Sequence, residues 1–293
     1  MVKTTQKLNN TNVKEFLDKY DTFLFDCDGV IWSGSNAIPQ VPETINWLKN
    51  TLNKQCLFLT NNATKSRDSY LKKFSDIGIL ISKDEFFSSS YLAGVYLKNV
   101  LQLPSDKKVF VIGMEGIKEE LNGLNIDNYS LEDYHPVDED DLSKLGPNLD
   151  VGALVIGMDR GINYAKYAHG YQLLTQKPLV HFIACNDDPT DTVNGKFFPG
   201  TGSIISPLIN STKRVPTVVG KPNISALESI NALYQLDLCR TCMTDTDIQF
   251  GLSGNLGTLL VFSGLTNEEQ FSSQSDIIPE YVAESVAQLY NLN

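Results

Sequence analysis

The stretch TFLFDCDGVI, residues 22–31, runs a mostly apolar segment into Asp26-Cys27-Asp28-Gly29 and then turns apolar again. Its first part reads as a buried strand. Two carboxylates two positions apart would share one face of a straight strand and repel. Just past the strand's end, in a loop freed by Gly29, both can point into one pocket and share a divalent cation. Taken alone, an ordinary Asp-Gly turn explains the pair as well. Cys27 invites a thiol-nucleophile reading, but neighbouring carboxylates raise a thiol pKa and strand alternation points it away from them, so packing is the expected role.

Working outward, strand and helix alternate. Val13, Phe16, Leu17 and Tyr20 recur at helical spacing behind Asn12, which is placed to cap, with Glu15 three residues on. Val41, Ile45, Leu48 and Leu52 mark a second helix with Pro42 in its first turn, and residues 56–59 form another short apolar run. Tyr70, Leu71, Phe74 and Ile77 make a third helical stripe closed by Gly78. Later come a strand at 215–219, a helix at 225–236, an apolar segment near Cys242 and a strand at 258–262. This alternation predicts an α/β fold with a parallel sheet. The middle differs: strand candidates at 109–112, 154–156 and 180–183 are separated by helical stretches and by the acidic loop EDYHPVDEDD at 132–141. The expectation is a core over 1–97 and 206–293 with a smaller α/β unit inserted at 98–205.

At 293 residues the chain is long enough for two domains, and 42% apolar with 20% charged residues is a globular composition. The net charge of −11 disfavours nucleic acid and anionic membranes as partners. No apolar run approaches the ~20 residues a spanning helix needs. The polar N-terminal sequence and an odd number of scattered cysteines, five in all, point to reduced thiols and a cytoplasmic location. Cys239-Arg-Thr-Cys242 has no second pair to complete a zinc site, and the three histidines show no metal-like spacing.

In a parallel α/β sheet, ligands bind beyond the carboxyl ends of the strands, and three polar constellations fall at such ends. Asp26 and Asp28 are the first. The second is residues 60–67, where Thr60, Asn61, Asn62 and a helix N-terminus offer a neutral-to-positive cradle for phosphoryl oxygens; the plainer reading is a polar loop. At the third, residues 218–223, Lys221 ends a strand ahead of Pro222 and Asn223, either as a point charge for phosphate or as a solvated surface lysine.

In this order, FDCDGVIW (25–32), LTNNATKSR (59–67), FPGTGS (198–203) and VVGKPN (218–223) resemble the haloacid dehalogenase superfamily. More narrowly they resemble the 4-nitrophenylphosphatase and phosphoglycolate phosphatase family, to which chronophin-like pyridoxal phosphatases also belong. GTLLVFSGLT (257–266) and IIPEYVAESV (277–286) fit the last core elements, so the resemblance covers nearly the whole chain. It implies a Rossmann-like parallel-sheet core with an inserted α/β cap, and a Mg2+-dependent phosphomonoesterase acting on small phosphorylated metabolites, with 4-nitrophenyl phosphate as artificial substrate. Asp26 would be the nucleophile, forming an aspartyl-phosphate, and Asp28 the general acid and base. Asp26 and the Asp28 carbonyl would hold Mg2+, while Thr60, Asn61, Asn62 and Lys221 bind phosphate. In the cap, Asn186 and Asp188 would contact the leaving group, although a polar turn explains Asn-Asp-Asp-Pro nearly as well. A homodimer through the cap is compatible with the same analogy, and the sequence does not fix the oligomeric state.

One motif departs from the family. A short apolar strand is ordinarily followed by Gly-Asp, three residues, then Thr-Asp, and the first Asp completes the metal site. Here the chain reads Cys242-Met243-Thr244-Asp245-Thr246-Asp247, and matching Thr246-Asp247 to the closing pair leaves about four residues missing. Asp245 or Asp247 would then have to complete the site. A shortened loop could bring Asp245 there only if strand or helix moved by much of ~13 Å. Alternatively the chain is a weakened or silent phosphate- or protein-binding member of the fold. Third, and preferred on the sequence alone, residues are omitted between Met243 and Thr244, which a Cα separation far from ~3.8 Å would reveal.

Overall fold

A computed structural model of the chain describes residues 5–131, 150–176, 179–193, 196–245, 248–264, 268, 271 and 278–293. The acidic loop 132–141, His135 and Asp247 lie outside the described residues. Among those described, no helix is long and apolar enough to cross a membrane. The chain divides into two compact units.

The first unit comprises Met1–Thr60, Asp68–Phe87 and Tyr234–Asn293. Its strands are β1 (Gln6–Lys7), β2 (Thr22–Asp26), β5 (Gln55–Thr60), β6 (Phe86–Ser88), β14 (Thr241–Asp245), β15 (Gly257–Val261) and β16 (Tyr281–Ala283), with a two-residue hairpin of β3 (Trp32–Ser33) and β4 (Asn36–Ala37) after β2. The sheet order is β1-β16-β15-β14-β2-β5-β6. From β1 across to β5 every neighbouring pair is parallel. β2 is buried over its first four residues, as a central parallel strand covered on both faces must be. Phe23 and Phe25 pack into one core with Phe16, Phe58 and Phe74, and emptying any of these fully buried sites would cost ~3–5 kcal/mol.

The helices form where apolar periodicity places them: α1 (Val13–Lys19), α2 (Val41–Asn50) and α3 (Arg67–Asp76), with α9 (Gln249–Ser253) and α10 (Gln288–Asn291) near the end. α1 buries Val13, Phe16 and Leu17, yet Asn12 does not cap it. Its amide instead accepts from Asn9 N–H at 2.8 Å and donates to the Lys7 carbonyl at 3.1 Å, closing the turn before the helix. Gly78, at φ +81°, supplies the left-handed step after α3.

The second unit comprises Asn61–Arg67 and Ser88–Leu233. β7 (Lys108–Ile112), β8 (Asn128–Tyr129), β9 (Val151–Ile156), β10 (His181–Ala184) and β13 (Thr217–Val218) form a sheet in the order β13-β10-β9-β7-β8, while β11 (Thr190–Val193) and β12 (Lys196–Pro199) form an antiparallel hairpin. All neighbours in the five-stranded sheet are parallel. Helices α4 (Ser89–Val95), α5 (Glu115–Gly123), α6 (Tyr164–Gln176), α7 (Thr201–Thr212) and α8 (Ile224–Tyr234) complete the unit. Phe110, Leu154, Ile156, Leu173 and Phe182 are among its core.

This unit is wider than the expected 98–205. Its right-hand limit moves because β13 pairs with β10, so the chain past the Gly-rich stretch remains in the inserted sheet. It also takes in Asn61–Arg67, for a reason no periodicity carries. Arg67 and Glu120 form a buried ion pair at 3.0 Å, the Arg67 guanidinium lies 3.3 Å from the centre of the Tyr91 ring, and a Cβ on Gly116 would lie 2.5 Å from the Lys65 backbone. The segment after Thr60 is therefore seated on α5.

Candidate active site

In the first unit, three strands end side by side. Thr244 pairs with Phe25 in the register of β14 and β2, so Asp245 and Asp26 follow as the next opposed residues, and both end their strands. On the other side of β2, Asp26 pairs with Leu59 of β5, one position before Thr60. Parallel neighbours lie ~4.8 Å apart, so Asp245 and Asp26 stand one strand spacing apart, while Thr60 lies one residue beyond the partner of Asp26. Cys242 and Phe25 face the main core, and by alternation Asp245 and Asp26 share the opposite face.

Beyond β2 the chain turns sharply. Gly29 takes φ +82°, a conformation that favours glycine, and its N–H donates to the Trp32 carbonyl at 2.7 Å. Asp28 is exposed, and its carboxylate accepts from the Trp32 indole N–H at 2.9 Å. Ser263 steadies the same loop by donating its hydroxyl to the Gly29 carbonyl at 2.7 Å. Neither Trp32 nor Ser263 was picked out in the sequence, although Trp32, four residues after Asp28, is within reach of a tight turn. Cys27 is fully buried in the core, as alternation predicted.

β14 also corrects the preferred reading of the irregular motif. Met243 and Thr244 pair with Leu24 and Phe25 in consecutive register, so the strand passes unbroken through the point where residues were expected to be missing. Asp245 needs no displacement of strand or helix, because it is itself the last residue of the strand.

Among the described residues, no group of three or more His, Cys, Asp or Glu side chains is arranged to hold a metal. What the first unit offers is a pair of carboxylates, Asp26 and Asp245, beside a loop whose main-chain carbonyls are close in sequence. An all-oxygen set of this kind suits a hard divalent cation and not a thiolate- or imidazole-loving one.

The second unit gathers a different group. The Asn61 side chain accepts from Lys221 N–H at 2.8 Å, donates to the Lys221 carbonyl at 2.9 Å, and donates to both carboxylate oxygens of Asp188 at 3.1 and 3.3 Å. The Asn61 main-chain carbonyl accepts from Asn186 Nδ2 at 2.7 Å and from Ser89 Oγ at 2.5 Å. Asn186 is buried, and its own Oδ1 accepts from Asp188 N–H at 3.2 Å. Burial pushes the Asp188 carboxyl above its usual range; the Asn61 hydrogen bond opposes this, Asp187 adds to it, Lys221 opposes it and Asp191 adds to it. Asn62 stands apart, exposed, with its Oδ1 accepting from Thr64 N–H and Oγ1.

Glycines close this loop tightly. A Cβ on Gly200 would lie 2.3 Å from the Asp188 carbonyl oxygen, and one on Gly202 would lie 2.4 Å from that of Asp187. His169 is buried with its Nε2 2.9 Å from the Tyr129 hydroxyl, and burial lowers its pKa to about 4. Cys239 is exposed and Cys242 buried, both as free thiols.

Comparison with known proteins agrees with this geometry. Residues 23–127 match the haloacid dehalogenase-like hydrolases, and residues 218–289 match a second family described as HAD-hydrolase-like. A 4-nitrophenylphosphatase of Schizosaccharomyces pombe is 43% identical over 285 residues, covering 94% of this chain and 95% of that one. The chloroplastic phosphoglycolate phosphatase 1A of Arabidopsis thaliana is 38% identical over 295 residues, covering 97% of this chain and 79% of that one. Among solved structures, a p-nitrophenyl phosphatase from Archaeoglobus fulgidus superposes with a TM-score of 0.80 at 26% identity, covering 94% of this chain and 100% of that one. With an α/β core of parallel strands, an inserted α/β cap and relatives this similar along nearly the whole of this chain, the chain belongs to the 4-nitrophenylphosphatase and phosphoglycolate phosphatase family of haloacid dehalogenase-like hydrolases, and it is a phosphatase of that type.

Proposed function

We propose that the chain is a Mg2+-dependent phosphomonoesterase of small phosphorylated metabolites, phosphoglycolate-like acids among them, and that it hydrolyses 4-nitrophenyl phosphate as an artificial substrate. The names of its relatives suggest these substrates. The single observation that carries the reading is the row Asp245, Asp26, Thr60 on three adjacent strand ends. The free state of all five cysteines suits a reducing compartment such as the cytoplasm.

Asp26 attacks phosphorus while the bond to the leaving oxygen breaks, giving an aspartyl-phosphate. Asp28 gives its proton to that oxygen. As a carboxylate it then takes a proton from water, which attacks the same phosphorus and releases inorganic phosphate and Asp26. The indole N–H of Trp32 occupies one Asp28 oxygen and leaves the other for the proton. The Thr60 hydroxyl donates to phosphoryl oxygens. Lys221 is assigned their cationic partner, and Asn186 and Asp188 the leaving-group side, by their motifs. The carboxylates of Asp26 and Asp245 with the Asp28 main-chain carbonyl would hold Mg2+, which when bound offsets the repulsion between an anionic nucleophile and an anionic substrate.

The test is hydrolysis of 4-nitrophenyl phosphate by the purified chain, with Mg2+ and with EDTA, beside Asp26→Asn. Metal-dependent turnover that falls at least ~10³-fold in the variant, with the fold intact by circular dichroism, is the expected result. A folded protein with no turnover above the variant would overturn the proposal and leave a silent binding member of the same fold.

A further inference from the structure

We propose that Asn61 is a positioning residue that holds Lys221 and Asp188 through one side-chain amide, so that the charge for the phosphoryl group and the loop facing the leaving group are set together. The inference rests on the proposed role of Lys221 and adds to it the means by which that lysine is aimed.

β13 ends at Val218, and Lys221 lies three residues further on, outside any strand. Loop backbone at that point would leave its N–H and C=O without a ladder. Asn61 supplies both partners, at 2.8 and 2.9 Å, so its amide pairs with the Lys221 backbone as a neighbouring strand would. The second proton on Nδ2 goes to the Asp188 carboxylate at 3.1 Å. These partners fix which end of the amide is which: turning it over would set Nδ2 against the Lys221 N–H and Oδ1 against a carboxylate. The main chain of Asn61 is held in turn by Asn186 and Ser89, and the glycine at 220 leaves the amide its place, since a Cβ there would lie 2.9 Å from Asn61 Oδ1.

The arrangement is selective for asparagine. Aspartate at the same place keeps the acceptor for Lys221 N–H but loses both donors and sets a second carboxylate against Asp188, whose other charged neighbours are Asp187, Asp191 and Lys221. Two carboxylates in contact share a proton once the pH falls far enough, and the shared proton restores a donor between them. Exchanging the two residues, Asn61→Asp with Asp188→Asn, rebuilds the pair with donor and acceptor reversed.

The experiment uses the full chain with Mg2+, reading 4-nitrophenyl phosphate turnover and inhibition by inorganic phosphate between pH 4 and 9. At pH 8, Asn61→Asp should lose about 100-fold in kcat/KM and bind inorganic phosphate about 10-fold more weakly, since an ångström of misplacement costs on that scale. Its deficit relative to the parent should shrink toward acid pH. The exchanged variant should recover about 10-fold of the loss and show no acid shift. If Asn61→Asp does not fold, Asn61→Ala removes the amide without adding charge and is held to the same phosphate criterion. Inhibition within about twofold of the parent, or an exchanged variant no better than the single one at every pH, overturns the positioning role. Lys221→Ala separates the two readings: if it leaves phosphate inhibition unchanged, the assignment of the lysine falls and takes the inference with it, whereas if it weakens inhibition and Asn61→Asp does not, only the inference falls.

Discussion

Asp245 and Asp26 stand side by side, with Thr60 one residue further along the next strand, because three neighbouring strands end within a residue of one another, whereas Asn61, Asn186, Asp188 and Lys221 meet through side-chain hydrogen bonds between residues 125 to 160 positions apart. The first group is positioned by backbone register. Its placement follows from the ladder and from no single side-chain hydrogen bond. The second is positioned by the donors and acceptors of one amide and by glycines that admit no Cβ, so small chemical changes should disturb it. The contrast separates a platform set by register, which carries the proposed nucleophile, from a loop set by side-chain pairing, which is proposed to face the leaving group.

Beyond loss of Asp26, the proposed nucleophile, the largest effect expected is at Asp245. If register chooses the carboxylate beside Asp26, Asp245→Asn should lower turnover by about 100-fold and raise the Mg2+ concentration needed for half-maximal activity, while Asp247→Asn should stay within about threefold. Metal titrations of both variants decide the matter. Equal losses would break the comparison, because the strand end would no longer select the ligand.

A middle-sized effect should distinguish the two construction principles. Gly220→Ala places a Cβ 2.5 Å from the Cys185 carbonyl oxygen and should destabilise the second unit by about 1–3 kcal/mol. In the strand that carries Asp26, the near-isosteric Leu24→Met should cost less than about 1.5 kcal/mol and leave turnover nearly unchanged. Urea unfolding with activity measured on the same samples tests both. A strand change that proves as damaging as the glycine change would mean that the platform, too, depends on side-chain detail.

The smallest effect is a pH dependence confined to the second unit. The folded-state pKa of His169 is lowered to about 4 by burial, below the ~6.5 of an unfolded histidine, so the unfolded chain binds the proton first. Its contribution is complete above pH 6.5 and is lost as the pH falls toward 4. The loss should be on the order of 1–2 kcal/mol. Stability of the parent should therefore drop more steeply than that of His169→Phe over this window, by equilibrium unfolding at each pH. Parallel slopes would show that the ring is already solvated.

Much of this was legible beforehand. The apolar runs that became β2, β5, β7, β9 and β14 announced a parallel α/β fold, and Asp26, Asp28 and Thr60 stood where their strands run out. What misled was the motif after Cys242, because matching it by its closing Thr-Asp suggested a gap, while hydrogen-bond register put Asp245 at the strand end. The second unit extends past 98–205 for a related reason: β13 is only two residues long and declares its sheet through its partner β10, not through its own pattern. Asn12 showed the same limit locally, since it reads as a helix cap and spends its amide on the preceding turn.

By itself, the sequence determined the order of strands and helices, the placing of polar residues where apolar runs stop, and the likeness to a phosphatase family. Those properties depend on periodicity and on local chemistry, which neighbouring residues carry. Only the tertiary structure decided that Asp245 lies across from Asp26, that Trp32 holds the Asp28 carboxylate, and that Asn61 binds the backbone of Lys221 and the carboxylate of Asp188 at once. Register and side-chain pairing are settled when distant segments compete for the same hydrogen-bonding groups, and no stretch of chain records the outcome alone.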